Sequence, residues 1–383
     1  MNAAADRARP RIAIFFATSG HSGEDRTIAA LVPAWAARGY GVDILRVRRH
    51  GPALEQLPPG CREIDLGTRH VYSALPALLR YLRRELPAVL YTGKYRLVTT
   101  ALIAFGLCRP PTRLCISTGT TVSVDLAGRG WFERRFQRWL MHRWYRKAHV
   151  LITCAEGVSA DLAAFADLPR DNMRVVPRPV VDPARFDAPQ ARPDHPWFAE
   201  GQPPVIIGMG ELSPRKDYAT LLRAFAALRR ERDARLLILG RGREETALLK
   251  QAESLGIGDD VQLPGFVRDP LPWVAHSAAF AHTARYEGLG FVLIEALALG
   301  TPVVSVDGPH GPREILADGE HGALVPVGDH AALATALAAT LDAPRDRAAC
   351  RAAAHRYEVE SAAEATLAAM GLPARAEDSV RAD

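Results

Sequence analysis

The sequence predicts an α/β protein of two doubly wound, parallel-sheet halves, on three observations. Short unbroken apolar runs such as RIAIFFAT (11–18) and ARLLILGRG (234–242) read as strands buried on both faces. Segments with helical spacing separate them, among them TIAALVPAWAARGY (27–40) and ATLLRAFAALRRE (219–231). Residues 177–204 hold eight of the 28 prolines and little periodicity, so the series of strands and helices stops there and then restarts.

In order, the first half reads as strand RIAIFFAT, helix 27–40, strand GVDILRV, helix SALPALLRYLRREL, strand AVLYTG, helix LVTTALIAFGL and strand RLCIST. A helix over about 131–147 leads into strand HVLITCA and helix GVSADLAAFA. The second half runs PVIIGMG, helix 219–231, ARLLILGRG, a helix near 244–255, DVQLPGF, AAFAHTA, helix 291–299 and PVVSVD, with Ala-rich helices closing the chain. A length of 383 residues suits two domains at roughly 150 residues each. The expected division is an N-terminal domain 1–176, a linker 177–204, a second domain 205–355, and a C-terminal helix in 356–383 packing back on the first domain before a frayed tail. Strands alternating with helices imply parallel sheets, which bind ligands beyond the carboxyl ends of their strands, here facing a cleft between the domains.

Composition narrows the function. Apolar residues at 48% and charged residues at 24% suit a globular enzyme. The five cysteines are scattered, with no CxxC or Cys/His cluster, so a reduced cytoplasmic protein without a metal site is expected. The start, MNAAADRARPRIAIFFATSG, reads as a first strand rather than a signal peptide, and no stretch of about 18 apolar residues is long enough to span a membrane. A formal charge of +5 fits a solvated surface or an anionic partner, and no nucleic-acid partner is expected.

Three Gly-x-Gly pairs (208/210, 240/242, 288/290) lack the third glycine of a dinucleotide fingerprint, and tight turns explain them. Neither a P-loop nor an Asp-x-Asp pair is present. In GELSPRKDYATLLRAF (210–225), Arg215 and Lys216 precede a helix start, which suits a diphosphate; a solvated loop is the plainer alternative. In RYEGLGFVLIEALALGTPVVSVDGP (285–309), Glu295 sits alone in an apolar helix. An isolated buried carboxylate costs several kcal/mol, so it needs a partner: a ligand, or an arginine or lysine from elsewhere in the chain. A helix starting near Gly290 would direct the N–H groups of Gly290, Phe291 and Val292 at developing negative charge. Glu287, eight residues before Glu295, could address another part of an extended ligand, since carboxylates match vicinal hydroxyls; otherwise it is a solvated turn residue.

Taken together, GELSPRK, VQLPGFV, YEGLGFVLIEALALGTPVVSVDGPHGPREIL and HGALVPVGD resemble the donor half of the family 4 retaining glycosyltransferases, which have the GT-B fold. The pattern E-x7-E, from Glu287 to Glu295, carries most of the resemblance, which covers most of residues 205–330 and, more weakly, 19–40 and 154–180. It implies that a nucleotide diphosphate sugar, with UDP-sugar favoured, is the donor substrate, and that no cofactor or metal is needed. Glu295 would accept from ribose hydroxyls and Glu287 would contact the transferred sugar. Gly290, Phe291 and Val292 would meet sugar and diphosphate through their backbone, and Lys216 with Arg215 would neutralise the leaving diphosphate. Gly265, Phe266 and Val267 would border the base, Gly23 would close over the phosphates, and His310 would touch the sugar. The implied reaction moves a hexosyl or N-acetylhexosaminyl group, with retention, to a glycan or lipid-linked acceptor in surface-polysaccharide or glycolipid assembly. A sugar-nucleotide epimerase and a non-catalytic nucleotide-sugar-binding membrane scaffold are the alternatives.

The chain departs from the family pattern at Glu211, where Arg is usual, at Ser117, Thr118 and Gly119, where many members have His, and at Arg178, where Asn is common. His21 and His282 read as structural or solvated, while Arg313 and Glu314 read as loop-orienting residues. Helix 131–147 (WFERRFQRWLMHRWYRK) puts Phe132, Phe136, Trp139 and Leu140 in one sector and Arg134, Arg135, Arg138 and His142 in another. Such a helix either packs its aromatic stripe on the sheet, the reading preferred here, or lies on an anionic membrane surface as a peripheral contact.

Overall fold

The computed structural model describes residues 9–17, 22–47, 54 and 56–376. It divides into two compact units, one running to Val180 and resumed from Glu358, the other Val181–Tyr357. In the first unit, strands β1 (Arg11–Phe15), β2 (Gly41–Arg46), β3 (Cys61–Asp65), β4 (Val89–Gly93), β5 (Arg113–Thr118), β6 (Val150–Thr153) and β7 (Met173–Val175) form a parallel sheet ordered β3-β2-β1-β4-β5-β6-β7. In the second unit, β8 (Val205–Met209), β9 (Arg235–Leu239), β10 (Val261–Gly265), β11 (Ala279–His282), β12 (Val303–Val306) and β13 (Ala323–Val325) form another, ordered β10-β9-β8-β11-β12-β13. Every pairing in both sheets is parallel.

The unbroken apolar runs follow from this topology. Successive strand side chains point to opposite faces, and each face carries its own helices. Ala13 and Phe15 of β1 enter one core with Leu78, Leu97 and Leu140, whereas Ile12 and Ile14 enter another with Ile28, Trp35 and Leu367. The edge strands depart from this: after a buried first residue, β3 and β10 alternate partly buried with exposed positions.

Chain order reverses once in each sheet, between β1 and β4 and between β8 and β11. The crevice beyond the carboxyl ends of such a strand pair is where open α/β sheets take ligands. After β1 the chain enters helix Gly23–Ala37, whose start is fixed by a reciprocal cap between Ser22 and Asp25.

Residues 177–204, read above as a linker, are divided between the units. The stretch from Val181 belongs to the second, where Val181 N–H donates to Tyr357 O at 3.0 Å and the Phe198 ring meets Trp273 edge-on. Its prolines open short helical turns at Pro183–Phe186 and Pro196–Phe198. Helix Val359–Ala369 lies in the first unit: Trp35 Nε1–H donates to Ala363 O at 3.3 Å, and Tyr40 O–H donates to Pro373 O at 2.7 Å.

Helix Trp131–Trp144 corrects the preferred packing reading. Gln137, Leu140 and Met141 are its buried residues, and Trp144 packs partly against the core. Phe132 is 81% exposed, and Trp131, Phe136 and Trp139 are exposed too. The turn Tyr145–Lys147 anchors the helix end through buried Tyr145, so the face bearing 137, 140, 141 and 144 turns inward and the aromatic stripe, with its arginines, turns outward.

Candidate active site at the strand ends of the second unit

The loop after β8 and the loop after β11 meet beyond the reversal point of the second sheet. A backbone tie and a side-chain hydroxyl hold them: Arg285 N–H donates to Arg215 O at 2.8 Å, and Thr283 Oγ1–H donates to Lys216 O at 2.8 Å. A side-chain tie joins Arg285 Nε–H to Asp217 at 3.1 Å. The structure thereby brings three predicted residues together. Glu287 forms an ion pair with Lys216 through Oε1, and Arg215 lies 3.0 Å from its Oε2. Lys216 and Glu287 are both mostly buried, while Arg215 is more open and sits over the Tyr286 ring.

Burial alone would raise the Glu287 carboxyl, but the Lys216 ammonium, with Arg215, outweighs it and holds the group well below the ordinary carboxylate range. By sequence His282, a lone histidine at a strand end, reads as structural or solvated. The fold buries it next to Glu287, with Nε2 at 3.7 Å from Oε1. Burial pushes its imidazole below the usual histidine range, and the neighbouring cations add to this.

Glu295 lies on helix Phe291–Ala298 and is 4% exposed. The helix starts on Gly290, which caps it at φ +100° without a side-chain cap, a conformation that favours glycine. Phe291 and Val292 are its first two residues, partly exposed. His310 is also placed at this site, because a parallel bridge pairs its backbone with Glu287. The neighbouring Gly311 packs so close to Leu289 O that a β-carbon would collide with it. Gly265, Phe266 and Val267 stand elsewhere on the sheet edge, at the end of β10, separated from β11 by β9 and β8. Phe266 is 66% exposed. Gly23 belongs to the first unit, as the first residue of its opening helix.

Glu211 is exposed, while Arg215, four residues on, pairs with Glu287. The Gly-x-Gly pairs at 208/210 and 240/242 lie where β8 and β9 end, Gly208 still within β8, and the two chain segments are in backbone contact. Gly210 N–H donates to Leu239 O at 2.9 Å, and a β-carbon on Gly240 would overlap Gly210 O. Arg313 orients its loop by pairing with Asp307 and with Asp318 at 2.9 Å.

A second polar cluster, missed in the sequence, sits at the strand ends of the first unit. The fully buried Arg178 guanidinium donates to Glu24 at 3.0 Å, Ser117 Oγ at 3.1 Å and Tyr91 at 3.4 Å. A β-carbon on Gly119 would lie 2.5 Å from Glu24 Oε1 and 2.9 Å from Arg178 Nη2. Two departures from the family pattern, Gly119 and Arg178, are therefore one feature: the absent side chain leaves room for the ion pair.

Comparison with known families decides the assignment. The profile described as "Glycosyl transferases group 1" matches residues 193–357, and that of a "Glycosyl transferase 4-like domain" matches residues 22–179. The chain belongs to the family 4 glycosyltransferases. Among curated proteins, this glycosyltransferase chain is 35% identical over 157 residues to the "Lipopolysaccharide core biosynthesis glycosyltransferase LpsE" of Rhizobium meliloti, a match covering 41% of the chain and 42% of that relative. It thus spans less than half the length of this curated relative. Two solved structures show that the fold is GT-B. A glycosyltransferase from Rickettsia africae superposes with a TM-score of 0.80 at 14% identity, over 95% of this chain and 98% of that one. Anabaena Alr3699/HepE in complex with UDP-glucose gives 0.73 at 18% identity, over 94% and 99%.

Proposed function

We propose that this family 4 member transfers a hexosyl or N-acetylhexosaminyl group, with retained anomeric configuration, from a UDP-sugar to a glycan or lipid-linked acceptor in surface-polysaccharide or glycolipid assembly. One observation carries the reading: two cations, Lys216 and Arg215, converge on the Glu287 carboxylate at the reversal point of the second sheet. Cations there suit a departing diphosphate, and a carboxylate held ionised suits sugar hydroxyls. The UDP-glucose bound by the Anabaena structure and the lipopolysaccharide role named for the Rhizobium relative support the donor and the pathway class.

In this mechanism Glu295 accepts from the ribose hydroxyls and Glu287 from the transferred sugar, while the backbone at Gly290, Phe291 and Val292 meets sugar and diphosphate. Gly265, Phe266 and Val267 border the base, Gly23 covers the phosphates, and His310 contacts the sugar. Lys216 and Arg215 stabilise the leaving diphosphate, and its phosphate oxygen takes the proton of the acceptor hydroxyl on the same face of the sugar. The protein's contribution is positioning and charge stabilisation, without a cofactor. Among the described residues no group of three or more His, Cys, Asp or Glu is arranged to hold a metal ion.

The exposed aromatic and arginine side chains of helix Trp131–Trp144 suit peripheral attachment to an anionic membrane, on the cytoplasmic side where nucleotide sugars are available. No helix among the described residues is long and apolar enough to cross a membrane. Incubation with UDP-, GDP- and ADP-sugars, with and without glycan or lipid-linked acceptors, tests the function. Release of nucleotide diphosphate only when acceptor is present is the expected result; epimerised donor formed without acceptor, or no turnover with any pair, would contradict it.

A further inference from the structure

His282 closes β11 with its ring 3% exposed, and its two nitrogens have unlike surroundings. Nδ1 lies 3.0 Å from Ser305 Oγ on the adjacent strand β12. That hydroxyl gives its only hydrogen to Val306 O at 2.9 Å. With the hydroxyl hydrogen on Val306 O, Ser305 Oγ accepts from the ring, and this pattern assigns the proton of the neutral imidazole to Nδ1. Nε2 is left as a bare acceptor. It faces Glu287 Oε1 at 3.7 Å, beyond hydrogen-bond distance, and has no hydrogen-bond partner among the described residues.

The charged groups around the ring are Glu287 from the loop after β11 and Lys216 and Arg215 from the loop after β8. Burial, followed by the two cations, favours the neutral ring, against the pull of Glu287. An unprotonated nitrogen facing a carboxylate oxygen is tolerable while the Lys216 ammonium occupies the same oxygen. Once that ammonium moves away, the buried carboxylate loses its main counter-charge on this side.

We propose that His282 is a positioning residue that takes the place of Lys216 on Glu287 when Lys216 turns to the donor diphosphate: Nε2 binds one proton from solvent, and the new N–H donates to Oε1. The inference rests on the assignment of the diphosphate to Lys216 made above. Charge around the carboxylate is conserved, with one cation leaving and another forming. Loss of a nearby cation and arrival of an anionic diphosphate both favour the imidazolium. Glu287 keeps its aim at the sugar while Lys216 is engaged, and the proton returns to solvent when the diphosphate departs.

Calorimetric titration with UDP-glucose, UDP-N-acetylglucosamine and GDP-mannose, in phosphate and in Tris, counts the protons exchanged; the diphosphate diesters of these probes do not titrate near neutrality. At least one probe is expected to bind with proton uptake approaching one per site, its affinity tightening by up to about tenfold per unit fall in pH. His282→Gln supplies a donor that needs no proton, so uptake vanishes, the pH profile of kcat flattens and turnover is retained. His282→Leu lowers kcat by about tenfold or more with KM little changed. Binding without proton exchange, uptake that persists in His282→Gln, or equal loss of kcat in both variants would overturn the proposal while leaving the function intact. If none of the probes binds, this inference and the proposed function fall together. Should His282→Leu fail to fold, the proton count and pH profile of His282→Gln decide alone.

Discussion

Lys216 and Glu287, 71 residues apart in sequence, form a mostly buried ion pair at the reversal point of the second sheet. With Arg215 on the second oxygen, the carboxylate is held ionised where α/β sheets receive ligands. The functional reading turns on this pair and on what replaces it when a donor arrives.

The two glutamates are expected to differ in effect. Glu295→Ala removes the proposed acceptor of the ribose hydroxyls, so donor Kd rises by roughly 10- to 100-fold, the range of a hydrogen bond to a charged group. Glu287→Ala releases Lys216 and Arg215 for the diphosphate, so kcat falls by a similar factor while Kd changes little. Steady-state kinetics with direct donor titration separate the two effects; unchanged constants in both folded variants would refute the site.

Gly119→Ala is expected to lower stability by about 1–3 kcal/mol, since its β-carbon would press on both Glu24 and Arg178. Urea unfolding measures the loss. The double variant Gly119→Ala with Arg178→Asn removes the bulky partner and recovers part of it; strict additivity would show that the two positions are not coupled.

Stability should depend on pH through His282. Its imidazole is depressed by burial in the fold and titrates near 6.5 when unfolded, so the unfolded chain binds more protons below that value. The stabilising contribution is present above pH ~6.5 and is lost as pH falls through that region. Glu287, also depressed, loses its contribution lower, as pH falls below its ordinary value of 4.5. Thermal midpoints between pH 5 and 7.5 should fall less steeply in His282→Gln than in the parent chain; identical slopes would contradict this assignment.

Helix Trp131–Trp144 yields a separate expectation. The protein should co-sediment with phosphatidylglycerol-rich vesicles at low salt, and replacing Arg134, Arg135 and Arg138 with Glu should release it. Replacing the exposed Trp131, Phe132 and Trp139 with Ser should also weaken retention, at a stability cost within about 0.5 kcal/mol. Retention that ignores both changes would dismiss the membrane contact.

What the sequence made legible was local in the chain. The E-x7-E spacing, the glycine that opens helix Phe291–Ala298 and the adjacent Arg215 and Lys216 each occupy one short segment. Contacts across long separations stayed hidden: the Lys216–Glu287 pair, the packing of His282 against it, and the joint fit of Gly119, Glu24 and Arg178. At Gly119 and Arg178 the sequence showed two unrelated departures, and only the fold shows that one makes room for the other. The aromatic helix failed for another reason. Periodicity identifies stripes on a helix, but which stripe turns inward depends on the chain at its ends, and buried Tyr145 settled that against the aromatics.

The most direct measurement is equilibrium binding of UDP-, GDP- and ADP-sugars to the wild-type chain and to Lys216→Met, followed by thermal shift and calorimetry. At least one nucleotide sugar should raise the wild-type midpoint in a concentration-dependent way, and Lys216→Met, correctly folded, should bind it at least about tenfold more weakly. Equal affinity in the two proteins, or no nucleotide sugar binding the wild type, would contradict the assignment of this site.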